Sequence, residues 1–149
     1  MRFLLDTLIK PLAGETGVDR EHWLKVATAT LLLEVVRADF EVQAVEMVRL
    51  ESLLRERFGL DRGELAQIIS EARLEADQLV SLQHLTRRIN EYCSETEKVR
   101  VIEMMWEIVF ADGHLDHYEE HLIRQVADLL YLPHSAFIQA RHKAEPPVL

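Results

Sequence analysis

The chain has 149 residues, 48% hydrophobic and 29% charged, which are the proportions of a folded globular protein with a core of its own. A formal net charge of −9 disfavours nucleic acid and anionic lipid as partners. The single cysteine excludes an internal disulfide, and no apolar run approaches the roughly 20 residues that cross a bilayer. We therefore expect a cytoplasmic protein that neither binds nucleic acid nor inserts into a membrane.

The first part of the chain predicts a docking segment followed by two helices. Residues 1–19 open with an amphipathic stretch that lacks the apolar core of a signal peptide. Apolar side chains then recur at helical spacing from Arg20 to Arg37, with Asp19 as the predicted N-cap. A second helical run covers residues 42–58, and Gly59 supplies its C-terminal stop.

The rest of the chain also predicts helices, two of them opened by capping boxes. In a capping box, a side chain at the helix start and a Glu three residues later each bond the other's backbone, as Asp61 with Glu64 and Ser94 with Glu97 would. Five helices are predicted here. The first is opened by the Asp61 capping box and runs to about Asp77. The others run from Ser81 to Tyr92, from Glu95 to Phe110, from Asp116 to Tyr131 and from Pro133 to about Lys143. Residues 145–149 predict a flexible tail. The predicted fold is an all-α, single-domain bundle of six to seven helices over residues 20–144.

One pattern of residues occurs twice, 73 positions apart. Its two copies are Lys25, Val26, Glu34, Val36, Ala38, Asp39 and Glu46, and Lys98, Val99, Glu107, Val109, Ala111, Asp112 and Glu119. In each copy an apolar helix ends in Ala-Asp, the chain breaks, and a second helix carries a Glu seven positions after that Asp. The repeat predicts two matching helical hairpins joined by a central pair of helices.

The two Ala-Asp corners carry the candidate functional residues. Asp39 and Asp112 lie at predicted helix C-termini, where the helix dipole costs a carboxylate a few tenths to about 1 kcal/mol. A bound cation would offset that cost, and clustered carboxylate oxygens suit Ca²⁺ or Mg²⁺ better than Zn²⁺. Glu46 and Glu119 follow the two corners, and Asp116 adds a further carboxylate to the second. A capping box is the alternative interpretation of Asp116 and Glu119.

These motifs resemble the TerB-like proteins of the tellurite-resistance protein B superfamily. The resemblance rests on the segments Leu32–Glu41 and Trp106–Asp116, together with Glu46 and Glu119, and it covers roughly residues 20–139. It implies an all-helical fold of pseudo-repeated halves with an acidic cluster proposed to bind a divalent metal. Matched residue by residue, that role falls on Asp39, Glu46, Asp112 and Glu119, with Asp116 in support.

The leading hypothesis is a small non-enzymatic protein that binds a divalent cation at its acidic corners, in stress or tellurite-resistance-type physiology. A first alternative is an interaction module without metal, which binds another protein or a second copy of the chain. A remote alternative is a zinc metallohydrolase, because His117 and His121 fit the H-x-x-E-H string of zinc peptidases. Zinc would need a third protein ligand, and the short stretch after His121 offers few candidates.

Overall fold

The computed structural model describes residues 17–38, 44–79, 81–113 and 115–146, without the side chains of residues 17–19 and 112. Within these ranges the chain forms helices and no strand, so the predicted all-α bundle is confirmed. The helices are α1 (Gly17–Arg37), α2 (Ala44–Phe58), α3 (Arg62–Gln78), α4 (Leu82–Tyr92), α5 (Glu95–Val109), α6 (His117–Leu129) and α7 (His134–Ala144). A 3-10 turn, Phe110–Asp112, links α5 to α6. None of the described helices is both long and apolar enough to cross a membrane.

The helix ends follow the sequence closely, with one correction. Helix α1 begins at Gly17, so residue 19 lies in its first turn and the prediction of Asp19 as N-cap is wrong. Aspartate is favourable at both positions, because a first-turn carboxylate also faces the positive end of the helix dipole. The predicted docking segment before residue 17 and the tail residues 147–149 lie outside the described residues.

Both predicted capping boxes are confirmed. Asp61 accepts from the backbone N–H of Glu64 at 2.8 Å, and its own N–H donates to the Glu64 carboxylate at 3.0 Å. Ser94 and Glu97 make the same exchange at 3.2 and 2.8 Å. Gly59 ends α2 with φ +63°, a left-handed conformation that costs glycine little. These starts and stops are set by local chemistry, independently of what the helices pack against.

The core forms around two long helices that pack against each other, α1 and α5. Helix α3 lies along α1, helix α7 lies along α5, and α2, α4 and α6 also contact α1. Because neighbours cover α1 on several sides, it is buried almost without interruption from Val26 to Val36, with Glu34 half-buried. Trp23 and Trp106 are both in the core, as their apolar positions predict. The two Ala-Asp corners thus follow the two central helices.

Candidate functional site

Glu46 and Glu119, the equivalent glutamates of the repeat, are both buried. They lie in the first turns of α2 and α6, and their exposed fractions are 0% and 1%. The helix N-terminus stabilises a carboxylate there by about 0.3–1 kcal/mol. Removing an ionised carboxylate from water costs several kcal/mol, which is more than the dipole returns. The helix dipole alone therefore does not account for the burial of these two side chains.

The second corner is a tight, well-defined turn. After α5 the 3-10 turn closes with the N–H of Gly113 donating to the carbonyl of Phe110 at 3.2 Å, and Gly113 has φ +78°. Asp116 then caps α6, because its carboxylate accepts from the N–H of Tyr118 at 2.7 Å. Asp116 makes this cap with the residue two positions later. The side chain of Glu119, three positions later, is buried inside the bundle. Asp116 thus orients the helix that carries Glu119.

Helix α2 brings the first hairpin against the second corner. It packs on both α5 and the 3-10 turn that contains Asp112. Two of its arginines reach the Glu107 carboxylate on α5, Arg57 at 3.1 Å and Arg49 at 3.7 Å. Helix α2, which carries Glu46 in its first turn, is therefore fixed beside the 3-10 turn of the other repeat.

The structure places some of the predicted site residues and leaves others undescribed. Glu46, Asp116 and Glu119 are described, Asp112 is described in its backbone alone, and Asp39 lies outside the described residues. Among the described side chains, no three His, Cys, Asp or Glu come together as a metal site requires. The cation site therefore stays a prediction.

The other glutamates of the repeat, Glu34 and Glu107, precede the two Ala-Asp corners, and their surroundings differ. Burial raises the pKa of Glu34, while nearby Arg37 lowers it and Asp77 raises it again. Arg37 itself pairs with Asp77 on α3 at 3.2 Å. The equivalent Glu107 is held by the two α2 arginines instead. The repeat therefore keeps the position of the carboxylate, whereas the neighbouring arginines come from α1 itself at Glu34 and from α2 at Glu107.

A buried glutamate on α3, Glu75, with the partly exposed Glu71 beside it, is a feature that the sequence analysis missed. Glu75 is 5% exposed, and its Oε1 atom has no hydrogen-bond partner in the described part of the chain. Burial, and then the charge of Glu71, raise the pKa of Glu75 to about 7. Glu71 in turn pairs with His22 of α1 at 3.0 Å. A signal was present, since Glu75 follows Ile68 and Ala72 on the apolar face of α3 at helical spacing.

Gly113→Ala is expected to lower the free energy of unfolding by about 1 kcal/mol. The backbone at Gly113 has positive φ, which a Cβ atom disfavours even though no other atom crowds the position. Gly63→Ala is the matched control, because Gly63 lies at the start of α3 without positive φ and alanine is a better helix former. Urea denaturation followed by circular dichroism measures both, and a Gly113→Ala variant as stable as the wild type would contradict the strain.

Comparison with known families identifies both hairpins as parts of one domain. The family model of the tellurite resistance protein TerB matches residues 25–142, which is most of the chain. Comparison with curated proteins and with solved structures gives no match. The matched range includes Glu46, Glu119, the turn at Asp112, the whole of α5 and α1 from residue 25 onward. The chain therefore belongs to the TerB family.

Proposed function

We propose that this TerB-family protein binds Ca²⁺ or Mg²⁺ through the carboxylates of its two corners, as a non-enzymatic component of tellurite-resistance or stress physiology. The observation that carries the proposal is the burial of Glu46 and Glu119 at equivalent points of the two repeats. Solvated capping residues would be exposed, as Asp61 is. Two carboxylates buried at equivalent positions favour a function that uses these side chains in a place shielded from water.

The arrangement around the glutamates supports an oxygen-lined cation site. Helix α2, which carries Glu46, packs on the turn containing Asp112, and this contact between the two repeats supports a site shared by them. Gly113 allows the chain to reverse immediately after Asp112. Ca²⁺ takes six to eight oxygen ligands and Mg²⁺ six, so carbonyl groups and water would complete a set begun by Glu46, Glu119, Asp39 and Asp112.

Cation binding at this place would link the two hairpins. A divalent ion held by carboxylates of both repeats would attract both of them and so hold the repeats together. A ligand that binds only the folded state raises its stability with concentration, by about 2.7 kcal/mol at 100 times its Kd. The proposal therefore predicts thermal stabilisation by the cation as well as direct binding.

Titration calorimetry and thermal unfolding with Ca²⁺ and Mg²⁺ test the proposal. We expect saturable binding and a rise in Tm for the wild type, and a loss of at least tenfold in affinity for Glu46→Gln and for Glu119→Gln. Glu51→Gln and Asp128→Asn are matched controls, since these residues are exposed on the same two helices and should leave binding unchanged.

Two outcomes would contradict the cation site. One is the absence of binding by Ca²⁺ and Mg²⁺ to the wild-type chain at millimolar concentration. The other is equal affinity in the buried-residue variants and in their exposed controls, which would indicate diffuse attraction to a chain of net charge −9.

A further inference from the structure

A cleft of about 360 Å³ opens where α1, the end of α2, α5 and α7 meet. Its volume lies within the range of small-molecule sites. Apolar side chains line part of it, among them Leu24 of α1 with Val101 and Met104 of α5. The cleft lies beside Phe58, the last residue of α2, whereas Glu46 lies in the first turn of that helix. It is therefore distinct from the acidic corners.

Thr28 contributes a buried polar group that the described protein does not satisfy. It lines the cleft, its exposed fraction is 0%, and its hydroxyl has no hydrogen-bond partner among the described residues. Two other buried threonines donate to the carbonyl one turn earlier, Thr30 to Val26 at 2.8 Å and Thr86 to Leu82 at 3.0 Å. A buried hydroxyl without a partner is costly, and a polar atom of a molecule in the cleft would remove that cost.

The charges around the cleft favour an anion. Its two acidic residues are already paired, Glu103 with Lys143 at 3.5 Å and Glu97 with Arg20 at 3.8 Å. Arg100 also lines the cleft, is exposed, and pairs with no acidic side chain in the described ranges. An unpaired guanidinium beside an apolar surface is suited to hold a carboxylate by two parallel hydrogen bonds.

We propose that this cleft binds a small organic acid with an apolar body and one further polar atom. Arg100 would hold the carboxylate, and the apolar body would lie against Leu24, Val101 and Met104. The hydroxyl of Thr28 would bond the second polar atom.

Three related probes separate these contributions in the full chain. The compound 4-hydroxyphenylacetate has the carboxylate, ring and hydroxyl, phenylacetate lacks the hydroxyl, and tyramine replaces the carboxylate by an ammonium group. Followed by ¹H–¹⁵N NMR, the first should give saturable shifts at the amides of Leu24, Thr28 and Met104. Phenylacetate should bind there several-fold more weakly, and tyramine should give no saturable shift at those amides.

Single substitutions test the proposed contacts of Arg100 and Thr28 separately. Arg100→Gln should weaken 4-hydroxyphenylacetate at least fivefold, whereas Arg87→Gln, at an exposed arginine of α4, a helix that does not line the cleft, should leave its affinity unchanged. Thr28→Val should abolish the preference for the hydroxylated probe and raise the Tm of the free protein, because the unsatisfied hydroxyl is gone. Absence of saturable shifts at the cleft, or equal affinity in the two arginine variants, would overturn the proposal.

Discussion

A Glu75→Gln variant is expected to be more stable than the wild type at pH 8 and to match it near pH 4.5. The pKa of Glu75 is raised to about 7 by burial and by the charge of Glu71. In the unfolded chain the same carboxyl would titrate near its model value of 4.5. The folded protein therefore binds one proton more than the unfolded chain between these two values.

The sign of the pH dependence follows from that extra proton. Stability contributed by protonated Glu75 is fully present below pH 4.5 and is lost as the pH rises through about 7. The loss amounts to about 3 kcal/mol at pH 8, since the pKa is raised from 4.5 to about 7 and each unit is about 1.4 kcal/mol. Glutamine mimics the protonated side chain and does not ionise, so the variant avoids the loss.

Urea denaturation at pH 4.5, 6 and 8 measures this difference. Glu51→Gln is the control, because an exposed glutamate should change stability equally at all three values. Glu71→Gln should reduce the pH dependence in part, since it removes the second cause of the raised pKa. Parallel stability curves for wild type and Glu75→Gln would show that Glu75 ionises normally in the folded protein.

Trp106→Ala is expected to lower the free energy of unfolding by about 3–5 kcal/mol, the usual cost of removing a buried tryptophan. The Trp106 ring is fully buried and lies 5.7 Å from the ring of Phe110 and 5.3 Å from that of Phe137. The guanidinium of Arg141 lies 5.4 Å from its centre. The substitution therefore removes the contacts of the Trp106 ring with Phe137 and Arg141 of α7, close to the turn that contains Asp112.

The effect should be visible in two measurements. Circular dichroism should show a Tm lowered by roughly 10 °C or more for a domain of this size. Hydrogen exchange should speed up at residues 110–113, because Phe110 loses its stacking partner. Val48→Ala, at a side chain that is 67% exposed, should change stability by less than about 0.5 kcal/mol. A loss below 1 kcal/mol for Trp106→Ala would mean that the core refills the space.

The sequence predicts this fold well where local chemistry decides. The capping boxes at Asp61 and Ser94 and the glycine stop at Gly59 need only neighbouring residues, and all three are confirmed. The burial of Trp23 and Trp106 is also predicted from nearby residues, through the helical spacing of the apolar positions around them. The error at Asp19 arises because aspartate suits both the N-cap and the first turn, so its identity alone does not fix where α1 begins.

The candidate sites depend on which helix covers which face, and one sequence indicates this poorly. The repeat identified Glu46 and Glu119 as equivalent, but their burial follows from how α2 and α6 pack. Thr28 lies off the apolar stripe that periodicity selects, and it is buried because several helices surround α1. Glu75, by contrast, lies on the apolar face of α3. It was missed because acidic residues in a helix are assumed to face solvent.

The pairing of α1 with α5 has a consequence for how such a duplicated chain could arise. Each long helix leaves part of its apolar surface to be covered by the long helix of the other hairpin. One hairpin alone would expose that surface and would persist in water only by associating with a twin. The forerunner of this protein would then have been a symmetric dimer of hairpins, later fused into a single chain whose halves were free to diverge.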